Sequence, residues 1–158
     1  MKRIAHVPIM IFLILLISCS GPKDPTFEKF ENIKVNSISA RSVSLNAEMV
    51  LNNPNPFSCH LKNLHLEIFS ENDVKLTEIN QTFNTEMVAR SNFSVPVKIS
   101  FSPKKLLDEK EGLLSSVLSV LSEKEVTLKY KGTCGVEVME INVKVPVEYE
   151  EKMVLKKE

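Results

Sequence analysis

The chain has 158 residues, with 20 basic and 20 acidic side chains and 43% hydrophobic residues. A near-neutral chain without a basic stripe is not expected to bind nucleic acid, or to attach to an acidic membrane surface by charge. The length suits one hydrophobic core rather than two.

The first 18 residues differ from the rest of the chain and predict a signal peptide. Lys2 and Arg3 form a short positive segment, and residues 7–17 are an apolar run, VPIMIFLILLI. This run is too short to cross a bilayer, which needs about 20 residues. Such a segment is typical of a signal that is removed from the mature protein.

The residues after the apolar run resemble the lipobox of bacterial lipoproteins, with Leu-Ile-Ser-Cys at residues 16–19. The resemblance implies that Cys19 receives a thioether-linked diacylglyceryl group, that the signal is then cut off before it, and that the new N-terminus often receives an acyl chain such as palmitate. Two chains anchor a protein stably, whereas one chain binds only marginally. The alternative is an ordinary secretory signal followed by an unrelated cysteine.

The same resemblance predicts where the protein lies. The expected location is the cell envelope, with the membrane as a partner through the lipid on Cys19. In a Gram-negative host, Ser20 after the lipid-bearing cysteine resembles sorting to the outer membrane. Residues 19–29 are rich in Gly, Pro and charge and predict a spacer, residues 30–150 predict the folded domain, and residues 151–158 a charged C-terminal tail.

Alternation of apolar and polar residues predicts seven half-buried antiparallel strands in the folded domain. The apolar positions are Ile33, Val35 and Ile38; Val43, Leu45, Ala47, Met49 and Leu51; Leu64, Leu66 and Ile68; Val74, Leu76, Ile79 and Phe83; Phe93, Val95, Val97, Ile99 and Phe101; Val126, Leu128 and Tyr130; and Val136, Val138, Ile141, Val143, Val145 and Val147. The parity changes between Val138 and Ile141, which predicts a β-bulge near Met139 or Glu140. Seven strands separated by turn signals predict a sandwich.

Residues 102–125 break the alternation and predict helix. Ser102 is a good N-cap and Pro103 a good first helical residue. Gly112 lies in the interior of the segment, so one helix and two short helices both fit the pattern. Its leucine stripe is expected to cover one end of the sandwich, with a partner-binding or membrane-surface face as the alternatives.

The stretch NNPNPFSCHLK, residues 52–62, separates the second and third strands. Pro54 and Pro56 lack an N–H group and push Asn53 and Asn55 toward extended or turn conformations, where their short amides can bond nearby backbone groups. The stretch is therefore expected to end the second strand firmly and to present Phe57 to the rim of the core.

The NPNPF motif (Asn53, Pro54, Asn55, Pro56 and Phe57), LKNLHLEIF at residues 61–69 and YKGT at 130–133, which contains Gly132, together resemble the late embryogenesis abundant (LEA) type 2 family, also called the water-stress and hypersensitive-response domain. The resemblance covers residues 30–150. It implies an all-β fold with one helix, a seven-stranded antiparallel β-sandwich of fibronectin type III or immunoglobulin type. It also implies a link to desiccation stress and no defined activity in bacterial lipoprotein members. The lipobox, Cys59 and Cys134 depart from the plant pattern.

If consecutive strands run up and down, Cys59 and Cys134 fall in loops at the same end of the sandwich, together with the start of the first strand. A disulfide between these two residues and a pair of buried free thiols both fit this placement. A zinc site that uses Cys59, His60 and Cys134 is less favoured, since no fourth ligand at a suitable spacing is present.

No residue pattern in the sequence predicts catalysis, a metal or a cofactor. His6 would leave with the signal peptide, and the odd spacing of His60 and His65 on one strand predicts opposite faces. Phosphate-binding and nucleophile motifs are missing, and acidic runs of this kind are usually solvated.

The sequence is therefore interpreted as a non-enzyme. The leading hypothesis is a lipid-anchored extracytoplasmic domain that binds or protects other molecules in desiccation or envelope stress. The alternative is a structural accessory lipoprotein that docks onto an envelope protein complex.

Overall fold

The computed structural model describes residues 21–106 and 125–155. Their elements in chain order are β1 (Thr26–Ile38), β2 (Val43–Asn53), β3 (Cys59–Ser70), β4 (Lys75–Met87), β5 (Ser91–Phe101), a 3₁₀ helix (Pro103–Leu106), β6 (Glu125–Val138) and β7 (Ile141–Val154).

The strands form two sheets, one of three strands in the order β1-β2-β5 and one of four strands in the order β4-β3-β6-β7. Every neighbouring pair is antiparallel. The predicted all-β class and the seven-stranded antiparallel sandwich are confirmed over the described residues. This three-on-four arrangement is of the fibronectin type III kind.

Alternation along the strands builds the core. The predicted inward face of β2, from Val43 to Leu51, is buried, and so is the matching face of β5. The two strands pair residue for residue over their whole length without a bulge. Burying a side chain such as Leu45 completely contributes roughly 1.5–3 kcal/mol, so these two strands are a major part of what holds the sandwich together.

The predicted bulge near Met139 and Glu140 is a chain reversal instead. Strand β6 runs to Val138 and pairs it with Ile141, so Met139 and Glu140 form a two-residue hairpin turn. Both turn residues have positive φ, 49° and 65°. The parity change was real, but the turn lacks the Asn-Gly or Asp-Gly signal that usually marks such a hairpin.

The sandwich extends beyond its predicted limits at both ends. Strand β1 begins at Thr26, inside the predicted spacer, and β7 continues to Val154, inside the predicted charged tail. Leu155, the residue after β7, is fully buried. Phe27, near the start of β1, packs on Phe30 with a ring centroid distance of 5.3 Å. These apolar contacts keep both segments on the sandwich.

The predicted helix lies largely outside the described residues. Its first turn is present as the 3₁₀ helix from Pro103 to Leu106, where the backbone N–H of Lys105 donates to the carbonyl oxygen of Ser102 at 3.2 Å. The start signal read at Ser102 and Pro103 thus marks a real helical turn.

Strand pairing defines two ends of the sandwich. Thr26 pairs with Asn52, Cys59 with Met87, and Val138 with Ile141. Residues 21–25, 54–58, 88–90 and 139–140 therefore lie at one end, which we call the N-terminal end. The β3–β4 turn and the two residues that flank the β5–β6 connection, Phe101 and Glu125, lie at the opposite end.

Candidate functional site: the Asn-Pro motif at the N-terminal end

The asparagines of the NPNPF motif are buried polar residues at the N-terminal end. Asn53 and Asn55 expose 0% and 2% of their surface, so each amide needs hydrogen-bond partners inside the protein. The two prolines that alternate with them are not buried. The motif therefore directs its asparagine amides into the protein and its two proline rings toward solvent.

The amide of Asn53 joins the end of β2 to the β4–β5 turn. Its nitrogen Nδ2 lies 2.9 Å from the carbonyl oxygen of Phe57, 3.1 Å from that of Met87 and 3.2 Å from that of Val88. Its oxygen Oδ1 accepts from the backbone N–H of Asn55 at 3.0 Å. One side chain thus replaces the ladder bonds that proline cannot make.

The amide of Asn55 joins the same loop to the segment that leads in from the N-terminus. Its Oδ1 accepts from the backbone N–H of Lys23 at 2.8 Å, and its Nδ2 donates to the carbonyl oxygen of Lys23 at 2.8 Å. Its own carbonyl oxygen accepts from the backbone N–H of Arg90 at 3.0 Å. Three separate segments are therefore fixed together at one residue.

This clamp shortens the predicted spacer. Lys23 is held by a paired hydrogen bond, and Pro25 is buried. Of the predicted spacer, residues 19–29, only residues 19–22 come before the clamped Lys23. The sequence around Lys23 does not predict this role, because its partner Asn55 lies 32 residues away along the chain.

Phe57 lies where the sequence predicts it. Its side chain is partly buried and packs against the core beneath the motif. Its carbonyl oxygen accepts the hydrogen bond from Asn53, so the ring and the backbone of this residue are positioned together.

Cys59 and Cys134 are buried free thiols in the structure. His60 pairs with Glu137, which places Cys59 opposite Val138, four residues along β6 from Cys134. At about 3.3 Å per residue this separates the two Cα atoms by about 13 Å. A disulfide needs a Cα separation below about 7 Å, so the bridge is not formed. The expected loop position of Cys134 was wrong because β6 continues through it to Val138.

The two thiols sit in different environments. Burial raises the pKa of Cys59, although hydrogen bonds with Asn55 and Asn53 lower it in part. Burial alone raises the pKa of Cys134 to about 12. Neither residue has the electropositive, exposed surroundings of a reactive cysteine.

Gly132 of the YKGT motif is required by close packing of β6 on β3. A Cβ atom at this position would overlap the carbonyl oxygen of His65 and lie 2.9 Å from the Cα of Leu66. The motif glycine therefore has a structural role inside the four-stranded sheet.

His60 and His65 share the solvent face of β3, and the prediction of opposite faces was wrong. A register irregularity between Leu61 and Asn63 shifts the alternation by one residue between the two histidines. His65 Nδ1 lies 2.8 Å from Asn80 Oδ1. Among the described residues, no group of three His, Cys, Asp or Glu side chains could hold a metal ion.

The outer face of the four-stranded sheet carries charges of both signs. Lys75 bonds Glu67 and Glu78, Lys62 lies 3.3 Å from Glu137, and Lys129 lies 2.9 Å from Asp73. A shallow hollow on this face is lined by Lys129, Lys131, Glu148, Tyr149 and Glu150. Paired, solvated charges of this kind do not form an acid–base pair with separated roles.

Cys19 and the apolar run at residues 7–17 lie outside the described residues, so the predicted lipidation stays a prediction. In residues 21–106 and 125–155, no helix has the length and apolar character needed to cross a membrane.

Comparison with known proteins identifies the fold. No family model matches the sequence, and no curated protein matches it. A solution structure of a protein from Arabidopsis thaliana is similar with a TM-score of 0.64 at 8% identity, covering 88% of this chain and 89% of that one. A candidate late embryogenesis abundant (LEA) protein has a TM-score of 0.58 at 11% identity, covering 94% and 79%. A protein from Archaeoglobus fulgidus has a TM-score of 0.55 at 11% identity, covering 83% and 98%.

At these identities the likeness shows a shared fold alone. One of the three proteins that share this fold is described as a LEA protein, and the descriptions of the three structures name no enzymatic activity. The resemblance that the sequence motifs carried is therefore supported at the level of the fold.

Proposed function

We propose that this protein is a non-catalytic domain of the cell envelope, anchored through a lipid on Cys19, that shields neighbouring macromolecules during water loss. The observation that carries the proposal is the clamp of Asn55 on Lys23, which ties the sandwich tightly to a segment that begins at a lipobox cysteine.

The clamp suits an anchored protein because it fixes the end of the domain nearest the tether. A sandwich that needed only a flexible tether would gain nothing from a buried amide, that of Asn55, which fixes the incoming segment at Lys23. Buried amides require full hydrogen bonding, and the partners of the Asn55 amide include both backbone groups of Lys23 in the incoming segment.

The shielding role is supported by the surface and the fold. The outer face of the four-stranded sheet pairs charges within itself, as in the bonds of Lys75 with Glu67 and Glu78, and so favours neither anionic nor cationic ligands strongly. Such a surface suits weak, general contact with many molecules. The fold is shared with a candidate LEA protein, which is consistent with a role in water stress.

The anchor is tested by replacing Cys19. In a bacterium that processes lipoproteins and is fed a labelled fatty acid, the unsubstituted chain is expected to incorporate the label, and Cys19→Ser is expected to incorporate none because serine cannot form the thioether. Ser18→Ala is the matched control, since it keeps a small residue before the cysteine. Equal incorporation of the labelled fatty acid by Cys19→Ser would contradict the proposal.

Shielding is tested by drying and freeze-thaw. The chain from Ser20 to Glu158, which retains every described strand, is dried with a labile reporter enzyme, and the activity that survives is compared with that in an equal mass of an unrelated β-sandwich. We expect clear excess protection. Protection no greater than the control would contradict shielding and favour the accessory role, for which crosslinking in the native membrane would identify the complex.

A further inference from the structure

Large apolar side chains protrude from the N-terminal end of the sandwich. Val88 in the β4–β5 turn is 61% exposed, Met139 in the β6–β7 turn is 64% exposed, and Ile141 beside it is 60% exposed. The other two exposed large hydrophobic residues in the described part of the chain, Val74 and Val154, lie at the opposite end and are 46% and 44% exposed. The most exposed apolar side chains thus cluster at one end.

The turn that carries Met139 is not built from the residues that fit it best. A two-residue hairpin with positive φ at both positions favours Asn-Gly, Asp-Gly or Gly-Gly, which are polar or small. Here Met139 and Glu140 adopt φ of 49° and 65°. A methionine in this conformation is strained, and its side chain is directed into solvent. Neither local backbone preference nor solubility explains a methionine at this tip.

The clamp sets how far this end can be from the lipid-bearing residue. Lys23 is fixed to Asn55, and four residue steps separate Lys23 from Cys19. A chain spans at most about 3.6 Å per residue, so Lys23 can lie no more than about 14 Å from Cys19. The N-terminal end of a lipidated molecule is therefore held at the membrane surface whatever path those residues take.

We infer that Val88, Met139 and Ile141 form a membrane-contact surface that enters the headgroup layer of the bilayer when Cys19 is lipidated. The inference rests on the anchoring proposed above and adds a fixed orientation: the strands stand on the membrane with the β3–β4 turn pointing away from it. Apolar side chains that sit next to an anchored lipid gain free energy by leaving water.

The charged residues at the same end as Val88, Met139 and Ile141 balance one another, so no particular lipid charge is needed for contact. Lys23 and Arg90 are matched by Asp24 and Glu140 at the same end. Contact is therefore expected to rely on apolar burial rather than on attraction to anionic lipid. A zwitterionic membrane is sufficient, and the contact is expected to change little with salt.

The test measures the depth of single positions in the bilayer. The lipidated mature chain, which begins at Cys19, is reconstituted into phosphatidylcholine vesicles that contain a spin-labelled phosphatidylcholine. An environment-sensitive fluorophore is attached to an introduced cysteine at Met139→Cys or Val88→Cys. Val74→Cys, an exposed valine at the opposite end, is the matched control. The chain without an introduced cysteine is the blank for the buried thiols.

We expect several-fold stronger quenching at positions 139 and 88 than at position 74, with little change between low and high salt. Equal quenching at all three positions in protein that sediments with the vesicles would overturn the contact surface and leave the anchor intact. Protein that does not sediment with the vesicles would overturn both. The use of two separate turns keeps the test decisive if either variant fails to fold.

Discussion

The side-chain amide of Asn55 holds both backbone groups of Lys23, accepting from its N–H at 2.8 Å and donating to its carbonyl oxygen at 2.8 Å. This is the pairing that a neighbouring strand would offer, supplied by one side chain at the point where proline stops the ladder. It links the NPNPF motif to the chain's connection with Cys19, and it gives the motif a structural reason.

Loss of this amide is expected to destabilise the protein and free the N-terminal segment. Asn55→Ala removes the bonds to Lys23 and leaves the buried oxygen of Asn53 with one fewer donor, which is expected to lower the free energy of unfolding by about 2–3 kcal/mol. The measurements are urea denaturation and hydrogen exchange at the Lys23 amide, which is expected to lose its protection.

Asn92→Ala is the matched control for the clamp. Asn92 also accepts an amide hydrogen bond, from Asn52 at 2.8 Å, but that bond is exposed. We expect a change within about 0.5 kcal/mol in this variant. Similar losses in both variants would show that burial of the Asn55 amide has no special weight.

Gly132→Ala is expected to prevent normal packing of β6 on β3. The added methyl group would meet the backbone of His65 and Leu66, which cannot move without breaking the sheet. We expect a loss of about 3 kcal/mol or more in the free energy of unfolding. Gly21→Ala, where a Cβ meets nothing within 4 Å, is the control and should be neutral. A stable, cooperative Gly132→Ala protein would contradict the close approach.

The buried thiol of Cys134 is expected to make stability fall at high pH. Burial raises its pKa from 9.0 to about 12, so the folded state keeps a proton that the unfolded state releases. The contribution is therefore complete below pH 9 and is lost between pH 9 and about 12, with a limiting slope of about 1.4 kcal/mol per pH unit.

The free energy of unfolding of the unsubstituted chain is compared with that of Cys134→Ala at each pH. This comparison separates the titration of Cys134 from that of the lysines, which both proteins share. Urea midpoints at several pH values should show a constant offset below pH 9 and a narrowing or reversed difference above it. A difference that does not vary with pH would contradict a protonated, buried Cys134.

Tyr130→Phe is expected to stabilise the protein or leave it unchanged. The hydroxyl of Tyr130 is buried and has no hydrogen-bond partner among the described residues, and burial raises its pKa. The ring packs on Phe30 at a centroid distance of 4.9 Å, and phenylalanine would keep this contact. An unsatisfied buried hydroxyl costs about 1–3 kcal/mol. A clear loss of stability in thermal unfolding would mean that the hydroxyl does have a partner.

The part of the fold that follows from local alternation could be predicted from the sequence. Residues 93–101 alternate without interruption and residues 43–51 alternate except at Val50, and in the structure these two stretches are the paired strands β2 and β5. The 3₁₀ turn at Pro103 followed from a local cap signal, and the end of β2 followed from two prolines. In each case the residue types themselves limit the backbone.

Features that depend on distant partners could not be predicted. The turn at Met139 and Glu140 lacks the usual residues, and the irregularity before Asn63 that puts His60 and His65 on one face is visible only in the pairing of β3. The clamp on Lys23 joins residues 32 positions apart, which no local pattern reveals.

The most direct test of the account is mass spectrometry of the mature N-terminus. The full-length chain is produced in a bacterium that processes lipoproteins, isolated from its membranes and digested after lysine. We expect a peptide of residues 19–23 that carries a diacylglyceryl group on Cys19 and ends at the clamped Lys23. A mature chain that begins at another residue, or an unmodified Cys19, would contradict it.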